Sequence, residues 1–514
     1  MRASWILGSL IVSLTIAGTR PAAAQGKAAE PAELLMSVGI GPDSTLDSLR
    51  AFANTIQPGV GIMVTVPMLR KQIASMVTAT SIDGLDEQST IYVLAVDGGP
   101  ALKGVAALGK VADEARLKQG VGQAHLVKKN GWAVIGPKPI AEKIAPFALG
   151  TLSAQAITGL PVATVYTANL MVRYKTEIAE ARKKLLDGAG AAGGQMAGMM
   201  QAYFDGLLSA LADSERAIVT FDATKDVAAA DLALVPKAGS RLGKFIGAQQ
   251  PADYGLVAKL PAAQAPVLVA GHLDAGPYRA SLLELSTMMF GSGTAAGITA
   301  AVGALFKAAS GDFAMAMQMG GPKGMELTQL FGISDEKAGS KAMDQLFDAL
   351  KKPLTTTMMG MTTTQTLNPK PATHDGVTIR TIDITYDLSK APPDTKAAME
   401  KMIAKSGAAT RTALFDKLGL VVMAADGGAG ATAAIDAVRG KGKRYAPPAQ
   451  VTDFLAGSRV RKESVAMIAD IGAAMGLGAA GRTMMLSMGF ADKRAHFRLA
   501  LPAATIRGFA GGMP

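Results

Sequence analysis

Two short stretches of the chain echo one another, KNGWAVIG at 129–136 and KLGLVVMA at 417–424. Held at one fixed spacing, the likeness extends without a gap. Leu126, Lys129, Gly131, Val134, Ala141, Ala145, Thr164, Ala168, Val172 and Arg173 then meet Leu414, Lys417, Gly419, Val422, Ala429, Ala433, Thr452, Ala456, Val460 and Arg461. Further matches follow in the same order. STIYVLAVDGGP (89–100) resembles DFAMAMQMGGP (312–322), each an apolar run of strand length halted by Gly-Gly-Pro. QPGVGIMVTVP (57–67) parallels APVLVAGHLD (265–274), and AADLALVP (229–236) parallels AHFRLALP (495–502), all read as strands. A supersecondary unit used twice must bury the same faces twice, so the repeat restricts the fold more than composition does.

The expected architecture is α+β: an internal duplication of a unit with an antiparallel sheet covered on one face by helices. The two copies run over 37–250 and 251–514, and the second carries an insertion, 353–406. Within it TTTMMGMTTTQTL and VTIRTIDITYDL read as two strands, from their β-branched residues and alternation, and a helix follows near 393–405. Asn130-Gly131 is the favoured pair for a two-residue hairpin turn, because both central residues need positive φ. Leu418-Gly419 keeps the glycine and is read as the matching turn. A long helix is expected over 169–188, with Leu170, Tyr174, Ile178, Ala181 and Leu185 on one side and a stop at Gly188, followed by a loop, GAGAAGG. Another is expected over 334–352, capped by Ser334 and ending in lysines.

The first residues speak to location. Arg2, an apolar run from Trp5 to Ala17 and Ala22-Ala23-Ala24 before Gln25 form the pattern of a secretory signal peptide, 1–24. The run is shorter than the roughly 20 residues a spanning helix needs. Residues 25–36 read as a flexible mature N-terminus. Export to the periplasm or the exterior is expected, and with no cysteine in the chain a lipoprotein anchor, disulfides and thiolate metal sites are all excluded. The net charge of +11 is a modest bias over 514 residues, which leaves room for peripheral contact with an anionic membrane surface. Nucleic acid is a poor partner, since basic residues are not interleaved with aromatics.

Several motifs invite chemistry. Gly428-x-Gly430-x-x-Ala433 follows a strand and precedes a helix, like a dinucleotide-binding turn. Its counterpart, GPKPIAEK, lacks the glycines, and beyond the helix the nearest acid is Asp453, so the turn reads as a plain loop. Ser334-Asp335-Glu336-Lys337 fits the Ser-x-x-Lys of envelope acyl transferases without their companion motifs, and helix capping accounts for the serine. His125, His272, His374 and His496 are not at metal-ligand spacing, and His272 with Asp274 reads as a surface pair on one strand face. Methionine clusters at 195–204, 313–325, 356–362 and 483–490, and alternation puts Met315, Met317 and Met319 on one sheet face. Core packing is the expected use, an apolar ligand groove or a Cu(I) site the alternatives. No catalytic, cofactor-binding or metal residue is assigned and no cofactor is expected. The reading is an exported, non-catalytic binding or scaffold protein of a bacterial envelope, its partner an envelope protein or an apolar ligand. The alternatives are a periplasmic carrier of lipid in a methionine-rich cavity and an envelope hydrolase.

Overall fold

The computed structural model describes residues 29–59, 61, 65–190, 194–262, 266–274, 276, 295–318, 325–358, 361–391, 396, 400, 408–424, 426, 428–470 and 483–510. The chain is α+β, with antiparallel strands and many helices, and it divides into two compact units. The first holds residues up to Ala179, Ala210–Ser240 and His496–Pro514, and the second holds Glu180–Ser209 and Arg241–Ala495.

The first unit begins with β1 (Leu34–Ile40), α1 (Asp47–Ile56), α2 (Val66–Met76), β2 (Ile91–Asp97), β3 (Lys103–Lys110) and α3 (Glu114–Val121). It continues through β4 (His125–Lys129), β5 (Trp132–Gly136), α4 (Lys138–Gly150), β6 (Val162–Val165) and α5 (Thr167–Arg173). Two helices, α6 (Lys175–Gly190) and α7 (Gly194–Ala212), most of whose residues belong to the second unit, precede β7 (Ser214–Ala223) and β8 (Val227–Pro236) of the first. The strands lie in the order β4-β5-β3-β2-β1-β6-β7-β8.

Helices cover this sheet on both faces, where one was expected. Alternation sends Tyr92, Leu94 and Val96 of β2 into a core with Leu34, Ala106, Leu108 and Val134, roofed by Ile140, Ile144 and Phe147 of α4. Ile91 points the other way, joining Ile40, Ala107 and Ile135 beneath Ile73 and Ala74 of α2 and Leu117 and Val121 of α3. A sheet buried on both sides explains the nearly continuous apolar run of IYVLAV. Leu108 is fully buried, so truncating it to Ala would cost about 2–5 kcal/mol.

Local departures from the sequence reading have local causes. Val66-Pro67, at the end of the stretch read as a strand over 57–67, opens α2, because Pro fits a first helical turn and the Thr65 side chain accepts from Met68 N. The strand is instead β1, whose Leu34–Met36 fall in the segment read as flexible; Asn169 Nδ2 donates to Pro31 O and Leu34 O there, and Arg216 Nη2 lies 2.7 Å from Glu30. The helix expected over 169–188 breaks at Tyr174 and runs on to Gly190. At the break the buried carboxylate of Asp97 accepts from Tyr174 Oη at 2.8 Å, Arg173 Nε at 3.0 Å and Gly99 N at 3.0 Å. The tyrosine hydroxyl foremost, then the Gly99 amide, hold this carboxyl well below the usual range.

The second unit contains α8 (Arg241–Ala248), β9 (Val267–His272), α9 (Ala295–Ala308), β10 (Ala309–Gln318), β11 (Glu326–Ile333) and α10 (Glu336–Ala349). The insertion supplies β12 (Leu354–Met358), β13 (Met361–Leu367), β14 (Ala372–His374) and β15 (Val377–Asp387), four strands where two were expected. The helix read near 393–405 falls largely outside the described residues. Then come β16 (Ala408–Phe415), β17 (Leu418–Ala424), α11 (Ala429–Val438), α12 (Ala449–Val460), β18 (Glu463–Asp470) and β19 (Thr483–Gly489). Their order is β19-β18-β9-β10-β11-β17-β16-β15-β13-β12, with β14 beside β15. The chain ends with β20 (Ala495–Pro502), paired to β8, and α13 (Ala503–Ala510).

At the quoted echo, Asn130 (φ 52) and Gly131 (φ 76) form the expected tight turn. In the second hairpin the turn sits two residues earlier than expected, at Asp416 (φ 50) and Lys417 (φ 58), and Gly419 lies inside β17. The fixed spacing also fails beyond the helices that follow. Thr164 is in β6 whereas Thr452 is in α12, so Thr164, Ala168, Val172 and Arg173 are not counterparts of Thr452, Ala456, Val460 and Arg461. In α10 the N-cap is Asp335, which accepts from Ala338 N at 2.9 Å, while Ser334 Oγ donates to Ala308 O.

Candidate functional site

In the second unit, β10, β11 and β17 form the floor of a cavity of about 440 Å³, bounded also by the start of α11 and by Pro261-Ala262. Strand alternation decides what faces it. Gln318 lies opposite Glu326, Ala316 opposite Thr328, and Thr328 opposite Val422, so these residues share one sheet face. The roof is small: Ala429, Gly430 and Ala433 of α11. Ala262 N donates to Lys443 O at 3.0 Å, which fixes the edge of the opening.

The turn from β17 into α11 is organised by Asp426. Its carboxylate accepts from Gly428 N at 2.9 Å and from Gly430 N. Gly428 takes φ 115, a conformation that suits glycine, and this lets both amides converge on the acid. Arg411 of β16, itself 9% exposed, donates through Nη1 to Asp426 Oδ1 at 3.2 Å and to Ala424 O at 3.3 Å. A guanidinium this buried needs such a partner, and the carboxylate also meets the positive end of the helix dipole.

This geometry answers the dinucleotide question. A pyrophosphate would need the amides of Gly428 and Gly430, and the protein's own carboxylate occupies them. The glycines serve an internal helix cap.

The first unit provides a reference for the cavity. Trp132 and Leu418 each follow a two-residue turn, and β5 pairs with β3 as β17 pairs with β11. Following the registers outward, Leu94, Val96, Gly104 and Ala106 occupy the positions of Ala316, Gln318, Glu326 and Thr328. In the first unit Leu94, Val96 and Ala106 are buried core, and Ile140 of α4 stands so close to Gly104 that a Cβ there would meet it at 2.8 Å. Ala316 in place of Leu94 removes an apolar filler, Gln318, Glu326 and Thr328 bring polar groups to the floor, and alanine and glycine on the helix leave the hollow above them in the second unit.

The residues singled out by sequence are scattered. His272 pairs with Asp312, Nδ1 to Oδ1 at 2.9 Å, and not with Asp274, whose backbone N and O bond to the Gln249 side chain. Ser310 Oγ donates to the other oxygen of Asp312 at 2.8 Å. The acid thus lies between serine and histidine, and the hydroxyl is not directed at the imidazole that would have to deprotonate it. His374 reaches Asp436 at 2.7 Å and His125 reaches Glu142 at 3.4 Å. Among the described residues no three His, Cys, Asp or Glu gather as metal ligands. Met315 and Met317 are half-buried on the face opposite to Ala316 and the cavity, where Met317 packs on Val267 and Ala469; Met319 lies outside the described residues. No helix among the described residues is long and apolar enough to cross a membrane. Sequence reading missed Gln318, Glu326, Thr328, Arg411 and Asp426. The available signal was charge and amide at strand positions where the first unit has Val96 and Gly104. No family model, curated protein or solved structure matches the chain.

Proposed function

We propose that this is a non-catalytic ligand-binding protein, exported to the cell envelope and built by duplication of one α+β unit, with the cavity beneath α11 as its binding site. The observation that carries the binding reading is the contrast between matched positions: packed with Leu94, Val96 and Ile140 in one unit, open and lined by Gln318, Glu326 and Thr328 in the other. Its volume lies within the range of about 300–1,000 Å³ typical of small-ligand sites. Duplication is supported by strand order, since β4-β5-β3-β2-β1-β6-β7 and β16-β17-β11-β10-β9-β18-β19 run alike, with the insertion entering between β11 and β16.

One graft tests both claims. The variant A316L/Q318V/T328A imports the first unit's residues into the second. It should fold with a thermal midpoint no lower than the parent's and should lose the stabilisation that cavity ligands confer in a thermal-shift screen. An unfolded graft would count against the matched registers, and unchanged ligand response would remove the cavity as the site. The apolar-carrier reading is weaker, because Gln318, Glu326 and Thr328 put polar groups on the cavity floor and Met315 and Met317 lie on the other face. Export rests on the pattern of residues 1–24 and is checked by mass spectrometry of the protein recovered from the periplasm or medium: the mature chain should begin at Gln25. Full-length protein retained in the cytoplasm would refute it.

A further inference from the structure

We propose that Asn130 is a site of spontaneous chemical modification, where the Asn-Gly turn of the β4–β5 hairpin converts to aspartate and isoaspartate and the isoaspartate form loosens β4. The only co-reactant is water. The Gly131 backbone nitrogen bonds to Cγ of Asn130, the Cγ–Nδ2 bond breaks, and Nδ2 leaves as ammonia with the proton that the Gly131 amide gives up. Water then opens the cyclic imide at either carbonyl. One opening yields aspartate; the other routes the main chain through the former side chain, as isoaspartate.

Access sets this residue apart. Asn130 and Gly131 are both exposed, and nothing lies within 4 Å of where a Cβ on Gly131 would stand, so the attacking nitrogen is unshielded. The Asn130 side chain makes no hydrogen bond among the described residues. The other asparagines are held or blocked. Asn54 Oδ1 accepts from Gly61 N, and β-branched Thr55 crowds the nitrogen that would attack. Asn169 Nδ2 donates to Pro31 O and Leu34 O, and Asn368 precedes Pro369, which has no N–H to give up. Asp375-Gly376 is the matched comparison: its φ values of 49 and 77 repeat the 52 and 76 of Asn130-Gly131, yet Lys441 and Arg439 hold its carboxylate. Reaching Cγ requires the turn to open, and among the described strands β4 pairs with β5 alone, so opening disturbs one edge pairing. Aspartate keeps a favoured turn pair, Asp-Gly, whereas isoaspartate adds a main-chain carbon to a turn of two residues.

The test incubates the full mature chain in warm buffer, neutral and mildly alkaline, and maps it by mass spectrometry with aspartate and isoaspartate peptides separated. Position 130 should convert about tenfold or more faster than Asn54, Asn169 or Asn368, since an edge turn opens more readily than packed segments. Conversion should quicken as pH rises, because the Gly131 amide must shed its proton, and Asn130→Gln should abolish it. In the isoaspartate fraction, amide exchange over 126–132 should exceed that of the parent, while Asn130→Asp, which keeps the turn, should match the parent. Equal conversion at every asparagine, or an intact Asn130 while the free peptide KKNGWA converts in the same buffer, overturns the site. An isoaspartate fraction with unchanged exchange overturns the loosening.

Discussion

Gly131 and Gly419 are the same letter with different physical duties. Gly131 (φ 76) has nothing within 4 Å of where a Cβ would stand, so its role is conformational. Gly419 has no such backbone requirement; it lies opposite Phe331, and a Cβ there would come 2.1 Å from the ring. Gly419→Ala should therefore destabilise the protein by about 1–3 kcal/mol through overpacking. Phe331→Ala in the same chain should recover part of that loss, measured by urea unfolding of the single and double variants. Strictly additive losses would refute the contact. The echo was legible because both hairpins keep glycine, but the pairing of β17 with its neighbour β11 decided which glycine does what. Asp416-Lys417 makes a poor turn signature beside Asn-Gly, so residue preference does not mark this turn.

At the scale of elements, the insertion was legible as an unpaired block with strand chemistry, and its strand count was not. TTTMMGMTTTQTL folds back on itself, pairing Met358 with Met361, although only Gly360 marks a turn. The turn between β14 and β15 then ties the insertion to the end of α11. Asp375 Oδ2 accepts from Lys441 Nζ at 2.6 Å and from Arg439 Nη1 at 2.8 Å, Arg439 Nε donates to Asp416, and His374 meets Asp436. The Lys441 ammonium, then Arg439, draw the Asp375 carboxyl down from 3.8 to about 2. A carboxyl depressed by folding stabilises the fold above its unfolded value, and that contribution disappears as pH falls through the folded value. Asp375→Asn should thus lower the urea midpoint at neutral pH, with the gap to the parent closing between pH 3.8 and about 2. A gap that stays constant through that window would exclude the linkage. The sequence carries a second trace: Asp113-Glu114 and Asp335-Glu336 follow their Gly-Gly-Pro sequences at equal spacing, and both aspartates cap helices.

At the scale of the whole chain, periodicity and turn residues supplied the α+β class, while the assignment of the last segment needed three-dimensional information. Nothing in AHFRLALP says which sheet it joins. It pairs with β8, Arg498 lies 2.9 Å from Asp222 and also pairs with Asp231, and Ala503 packs with Leu46 and Phe52. Removing residues 496–514 should speed amide exchange in β7, β8 and α1 and leave β10 and β11 as protected as before. Equal protection throughout would show that the tail is dispensable to its unit.

That placement makes the order of synthesis matter. A ribosome delivers β1 to β8 long before β20, so the earliest-made portion waits with an open hydrogen-bonding margin until the closing residues emerge. Completion of the chain and closure of that margin are thereby coupled: the earliest-made sheet receives its last strand only when the final residues arrive.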